Sequence, residues 1–226
     1  MSIITTIFSL ILTAAVSYLL GSLNSAIITV RVLKHEDIRE KGSGSAGLTN
    51  TYRCYGALPA ALTLIGDLAK GVIAVLISIY VIGAIVPVSP FLFDSLSVGY
   101  LSGIFAIIGH IFPVYYHFKG GRGVLVAASI LLVIDPLTFA IIIPFFILMI
   151  AVTRYVSVAS ITSAVVYPIL TFCLHYFVEF YSLEQCIAHF VLTTMTSALL
   201  IYMHKDNIKR LLSHTENKFT IHRKNK

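Results

Sequence analysis

The chain has 226 residues, of which 58% are hydrophobic and only 12% charged. Soluble domains average about 45–50% apolar and about 25% charged, so this composition excludes an ordinary cytosolic enzyme. It also excludes disorder, which needs low hydrophobicity.

The mean hydropathy is +0.92, and at roughly 20 residues per span the length holds about six or seven transmembrane helices. We expect one integral membrane domain over residues 1–226, with no room for a soluble domain beside it. The net charge of +6 comes from 16 Lys and Arg against 10 Asp and Glu. In a soluble protein that excess could mark nucleic-acid binding. Here it is first a topology signal, because Lys and Arg collect on the cytoplasmic side, and no nucleic-acid partner is expected. Cys54, Cys173 and Cys186 have no metal-like spacing and imply no disulfide framework.

In chain order, the first apolar run covers residues 3–30. It lacks a basic leading segment and reads as a retained helix. A polar stretch follows at 31–53. The next run, 54–87, is interrupted by Asp67 and Lys70. A loop with Asp94 leads to a span near 99–117, and Lys119 to Arg122 form a basic loop. The stretch 123–153 is apolar apart from Asp135-Pro136, a turn signal that breaks a helix running into it. Spans near 157–177 and 186–203 flank Glu179 and Glu184, and a basic tail closes the chain.

The cations decide how to divide 123–153. Basic residues cluster at 31–53, at 119–122, at Arg154 and from Lys205 onward, while 82–98 and 178–185 contain none. Two short helices meeting at Asp135-Pro136, each shorter than a full span, put every cluster on one side. The expected fold is all-α and polytopic, with about seven transmembrane helices, the N-terminus outside and the C-terminus cytoplasmic. Lys70 is the only basic residue inside a span. It follows Asp67 by three residues, on one helical face, where the two can pair. Such a pair is either a structural lock or a functional group.

Four motifs carry chemistry. The first, Gly42 to Arg53, alternates glycine with hydroxyl residues. Glycine lets backbone N–H groups turn inward as an anion nest. Ser43, Ser45 and Thr49 add donors, and Arg53 can grip a phosphate bidentately. It is not a Walker A loop, because no Gly-Lys-Ser/Thr ends it. The second pairs Gly109-His110-Ile111-Phe112-Pro113 with Lys119-Gly120-Gly121-Arg122-Gly123, which opens a helix whose N-terminus suits an anion. The third, Arg154 to Ser160, places Ser157 and Ser160 on one face. The fourth, His204 to Arg210, does the same for His204 and Asn207. Two glycine-plus-cation sites suggest two phosphorylated groups held side by side, as a transfer between phosphate-bearing substrates requires.

With these motifs the chain resembles the bacterial acyl-phosphate-dependent glycerol-3-phosphate acyltransferases (PlsY-type), over nearly its whole length. Gly21-Ser22, Gly42 to Arg53, Asp67-Leu68-Ala69-Lys70-Gly71, Gly109 to Gly123, and His204 to Arg210 with Thr215 to Lys218 all resemble family signatures. Ser45 stands where the family has Asn, Leu48 where it has Ala, Arg122 where it has a second Lys, and Asn24 where it has Pro. The resemblance implies a multi-pass protein of the bacterial plasma membrane with a cytoplasm-facing site. It implies transfer of an acyl group from acyl phosphate to the 1-hydroxyl of glycerol 3-phosphate, giving lysophosphatidic acid and phosphate, the first acylation of phospholipid synthesis.

On that basis Ser43, Gly44, Ser45, Gly47 and Thr49, with Gly120 and Gly121, are assigned to the phosphate of acyl phosphate. Arg53, Arg122, His204 and Asn207 are assigned to glycerol 3-phosphate. Asn50, Lys119, Gly123 and Ser157 complete the candidate substrate-binding set. No protein nucleophile is evident. His204 is the candidate general base, ranked first as a binder because the substrate's own phosphate can accept the proton. No cofactor and no metal is expected. Membrane lipid and the enzyme that makes acyl phosphate are further candidate partners. The competing reading is a transporter for a phosphorylated metabolite, although transporters usually bind near the midplane. A His followed five residues later by Asp, as acyl-CoA-dependent enzymes use, is absent from the sequence.

Overall fold

The computed structural model describes residues 3–85 and 94–219. Residues 86–93 of the expected 82–98 loop fall outside them, as do Arg223, Lys224 and Lys226 of the tail. Every described element is helical. Six helices are long and apolar enough to cross a membrane, and a shorter apolar helix lies at Val124–Ile134. The protein is a multi-pass, all-α membrane protein.

The first apolar run is not one helix. It divides into α1 (Ile3–Gly21) and α2 (Ser25–Lys34). The break has a local cause: Asn24 is the N-cap of α2, and its side-chain oxygen accepts from the Ile27 amide at 3.1 Å. A 3-10 turn at Ile38–Glu40 leads to α3 (Leu48–Tyr55) and, across Gly56, to α4 (Ala57–Leu76). That helix runs on through a π-helical stretch, Ile77–Ile82, into α5 (Gly83–Ile85). Asp94 caps α6 (Ser95–Ile111), accepting from the Ser97 amide at 2.7 Å. A turn at Val114–Tyr116 precedes α7 (Val124–Ile134). Then come α8 (Pro136–Thr153), α9 (Val156–Phe177), α10 (Leu183–Met203) and α11 (Lys205–Leu212).

The expected break at Asp135-Pro136 is present, but it divides the run unequally. The 11 residues of α7 extend roughly 16 Å. The 18 residues of α8 reach about 27 Å, long enough to span, so only one of the two helices is short. Pro136 opens α8 at the first helical position, where its missing N–H costs nothing. The buried Asp135 carboxylate accepts from the Tyr100 hydroxyl at 3.0 Å.

Contacts divide the chain into two compact units, Met1–Pro136 and Leu137–Lys226. In the first, α1 and α6 approach at small residues. A Cβ on Gly21 would strike the Ala106 carbonyl, and one on Gly109 the Tyr18 carbonyl. Nearby, the hydroxyls of Ser17, Ser78 and Ser102 form a closed triangle at 2.8, 3.0 and 3.2 Å. Such mutual satisfaction is what polar groups need at membrane depth. In the second, α9 packs on α10, with the buried imidazoles of His175 and His189 joined Nδ1 to Nδ1 at 2.9 Å.

Candidate active site

The first glycine loop is built around Asn50. Gly42 and Gly44 turn the backbone with φ of +59° and +70°, a region only glycine enters freely. Asn50, buried at the start of α3, braces that turn from inside. Its Oδ1 accepts from the Ser43 amide at 3.0 Å. Its two Nδ2 hydrogens are shared among the carbonyls of Lys41 at 3.0 Å, Ser45 at 3.1 Å and Ile38 at 3.4 Å. Its amide is thus committed to the loop itself. Beneath lies a small core of Ala26, Ile27, Val30, Ile38 and Ala46, with Tyr55 and Tyr116 against it. Tyr55 donates to Glu36 at 2.6 Å. Burial, then the bond to Glu36, push its phenol up to about 12.

The second loop folds back on the end of α6. The Gly120 amide donates to the Ile111 carbonyl at 3.0 Å, and the Gly121 amide to the His110 carbonyl at 3.1 Å. These bonds satisfy carbonyls that a helix end would leave open. They also remove both amides from the pool available to a ligand. A Cβ on Gly120 would meet the His110 carbonyl. One on Gly121 would meet His110 Nε2 and the Ala46 carbonyl. Both glycines are therefore demanded by close approach.

The two loops are joined. The Ala46 amide donates to the Gly120 carbonyl at 3.3 Å. Arg39 adds a strut: its Nη1 donates to the carbonyls of Tyr116 at 2.7 Å and Lys119 at 3.2 Å, while Nε and Nη2 grip Asp37. Arg31 also reaches Asp37, at 3.1 Å. The Arg39 side chain, and behind it the Arg39 amide and Arg31, hold the Asp37 carboxyl well below the usual carboxylate range against the opposing effect of burial. Neither α3, which starts after Gly47, nor α7, which starts after Gly123, has a side-chain cap. Their first-turn N–H groups are open donors beside Ser45, Thr49 and Arg122. Arg53 follows Thr49 by four residues on α3, half-buried, and Lys119 is exposed.

Below the loops lies a charged cluster at membrane depth. Lys70 Nζ is 2.8 Å from Asp67 Oδ1, 2.8 Å from His110 Nδ1, and donates to the Leu23 carbonyl at 3.0 Å. All three side chains are buried. The expected Asp67–Lys70 pair is present, and it has a third member that spacing alone did not reveal.

The second unit holds Ser157, His204 and Asn207, all buried. His204 sits at the junction of α10 and α11. Its Nδ1 lies 2.8 Å from the Leu200 carbonyl, which can only accept. The proton is therefore on Nδ1, and Nε2 is the basic nitrogen of the neutral ring. Asn207 Nδ2 donates to Glu216 Oε1 at 2.7 Å, and Arg210 Nε to Glu216 Oε2 at 2.6 Å. Burial pushes the Glu216 carboxyl up, but Asn207, Arg210 and Ser157 outweigh it and hold the group below its ordinary value. The Oδ1 of Asn207 and the Ser157 hydroxyl meet no partner at full hydrogen-bonding geometry. The Phe219 amide donates to the Arg154 carbonyl at 2.7 Å, fastening the tail to the turn before α9.

These features define a helical membrane protein with two joined glycine loops, each leading into a helix that lacks a side-chain cap. The chain is matched over residues 11–214 by the family model described as Glycerol-3-phosphate acyltransferase. It is 36% identical to the glycerol-3-phosphate acyltransferase of Chlorobium phaeobacteroides (strain BS1), covering 95% of this chain and 98% of that one. It is 37% identical to that of Clostridioides difficile (strain 630), covering 94% and 96%. The crystal structure of PlsY (YgiH), an integral membrane glycerol 3-phosphate acyltransferase, in its glycerol 3-phosphate form superposes with a TM-score of 0.75 at 29% identity, covering 94% of this chain and 96% of that one. Its lysophosphatidic acid form gives 0.71 at 28%, with the same coverage. The chain belongs to the glycerol-3-phosphate acyltransferase family, in its integral membrane PlsY branch.

Proposed function

We propose that this protein transfers an acyl group from acyl phosphate to the 1-hydroxyl of glycerol 3-phosphate. The hydroxyl oxygen bonds to the acyl carbon, the bond from that carbon to the phosphate oxygen breaks, and phosphate leaves with the electron pair. Lysophosphatidic acid and inorganic phosphate are the products. The observation that carries this reading is the Ala46–Gly120 bond, which joins two glycine loops that each lead into a helix without a side-chain cap. An acyl phosphate is already activated, so positioning and charge stabilisation are the work left to the protein.

In the first unit the donors for the acyl-phosphate phosphate are Ser43, Ser45, Thr49 and the first-turn amides of α3 and α7. Gly44, Gly47, Gly120, Gly121 and Gly123 give the backbone its path, and Asn50 braces it. Arg53 and Arg122 are the cations for glycerol 3-phosphate, with Lys119 at the rim. In the second unit Ser157, His204 and Asn207 are substrate-binding groups. His204 is a binder and the departing phosphate takes the hydroxyl proton. The loops face the cytoplasm of a bacterial plasma membrane, the side from which water-soluble glycerol 3-phosphate reaches them, while the acyl chain of the donor stays in the bilayer.

The test uses purified protein in detergent, palmitoyl phosphate and labelled glycerol 3-phosphate. Lysophosphatidic acid and phosphate should form one to one, and palmitoyl-CoA should not replace the donor. Absence of both products defeats the reading. His204→Ala should raise KM for glycerol 3-phosphate and spare kcat; the reverse pattern would assign His204 the proton.

A further inference from the structure

The Lys70 ammonium group has three hydrogens and no acceptor, and it has three partners on three parts of the first unit. Asp67 belongs to its own helix, Leu23 to the break between α1 and α2, and His110 to the end of α6. Lysine is the stronger base, so the shared proton is on Lys70 and the His110 Nδ1 accepts. A protonated imidazole would set N–H against N–H.

Each outward partner leads to one loop. Leu23 precedes Asn24, whose Nδ2 donates to the Ala46 carbonyl at 3.3 Å, in the first loop. The His110 carbonyl receives the Gly121 amide at 3.1 Å, in the second loop, and the His110 ring occupies the space a Gly121 side chain would need. A structural ion pair requires only Asp67. It has no use for a cation that also ties the approaches to both loops.

We propose that Lys70 is a positioning residue for acyl transfer: through Leu23–Asn24 and through His110 it sets the separation of the two glycine loops that receive the phosphate groups. This rests on the phosphate-binding reading of those loops. Lys70 itself touches no substrate.

The experiment separates this role from simple charge balance. The double variant Asp67→Asn, Lys70→Met removes both charges together, which commonly leaves stability intact, whereas removing one does not. A pair that only balanced charge would be fully replaced. The positioning role predicts a double variant that unfolds near the wild-type temperature yet has KM for palmitoyl phosphate raised about tenfold or more. Its amide hydrogen exchange should be faster in 42–50 and 119–125 and unchanged along α4. Wild-type KM and wild-type loop exchange in that variant would overturn the proposal.

A second pair decides the matter if the double variant does not fold. His110→Asn keeps an acceptor near the Nδ1 position, and His110→Gln moves it away. The Asn variant should retain the lower KM and the slower loop exchange; an equal or better Gln variant overturns the proposal. If the wild type transfers no acyl group, the functional reading falls, and the exchange measurement still decides what Lys70 does.

Discussion

Arg39 Nη1 donates to the Tyr116 carbonyl at 2.7 Å, across 77 positions of chain. With its bond to Lys119 and its two-point grip on Asp37, it ties the segment before the first loop to the segment before the second. Arg39→Ala should cost about 1–2 kcal/mol, at the low end for charged hydrogen bonds because both partners touch water. Thermal unfolding in detergent measures it. Arg39→Lys should recover little, since an ammonium cannot span carboxylate and carbonyls in one plane.

The Asp37 carboxyl is held below its ordinary value, so its contribution to stability is full above the pKa of the unfolded chain, about 3.9. It is lost as pH falls further, through the folded value. Asp37→Asn should therefore be less stable than wild type at pH 7, and the gap should narrow below about pH 4. Unfolding temperatures of both proteins across that range provide the check, and a gap that widens on acidification contradicts the assignment.

The two Nδ2 hydrogens of Asn50 are shared among three carbonyls around the loop it braces, and its Oδ1 accepts from the Ser43 amide and the Cys54 thiol. Asn50→Asp would set a carboxylate oxygen against the carbonyls of Lys41, Ser45 and Ile38. It should be more damaging than Asn50→Ala, which costs roughly 1–3 kcal/mol for groups left unpaired. The comparison is KM for acyl phosphate alongside unfolding temperature.

Gly121 and Gly47 make a matched contrast. A Cβ on Gly121 strikes His110 and Ala46, whereas one on Gly47 meets nothing within 4 Å, and Gly47 has an extended backbone. Gly121→Ala should lower kcat/KM on the order of a hundredfold, the scale of a misplacement of about 1 Å. Gly47→Ala should fold normally, so any loss in its KM reports a crowded substrate and not a distorted loop.

Glu216 accepts from both Asn207 and Arg210, and its side chain is 8% exposed against 32% for Arg210. Glu216→Ala leaves the Asn207 amide unheld. It should destabilise by a few kcal/mol, short of the about 3–5 that a fully buried pair loses. Glu216→Gln should keep part of that, and unfolding of the two variants gives the ranking.

The membrane class, the helical fold and the break at Asp135 were legible because apolar runs and cation clusters are strong signals over many residues. The split at Asn24 was not, because one capping residue inside an apolar run is a weak signal. In the loops, the glycine pattern marked where the backbone turns tightly, but it does not say which amides remain open. Gly120 and Gly121 use theirs on the end of α6, a contact that depends on how the chain returns after Pro113. Arg39 read as one of the topology charges and His110 only as part of the second motif, since what each touches lies far along the chain or on another helix. Asp67 and Lys70 were legible as a pair because their spacing is local.

That local spacing has a consequence for how the protein is made. Asp67 and Lys70 lie one turn apart on α4 and meet at 2.8 Å. The helix therefore carries its own counter-ion and can leave the translocon with its charges already cancelled, before α6 exists. A lysine whose only carboxylate stood on another helix would face lipid alone until assembly. Charge balance during insertion thus needs only Asp67, and Leu23 and His110 take their bonds to Lys70 once the helices pack.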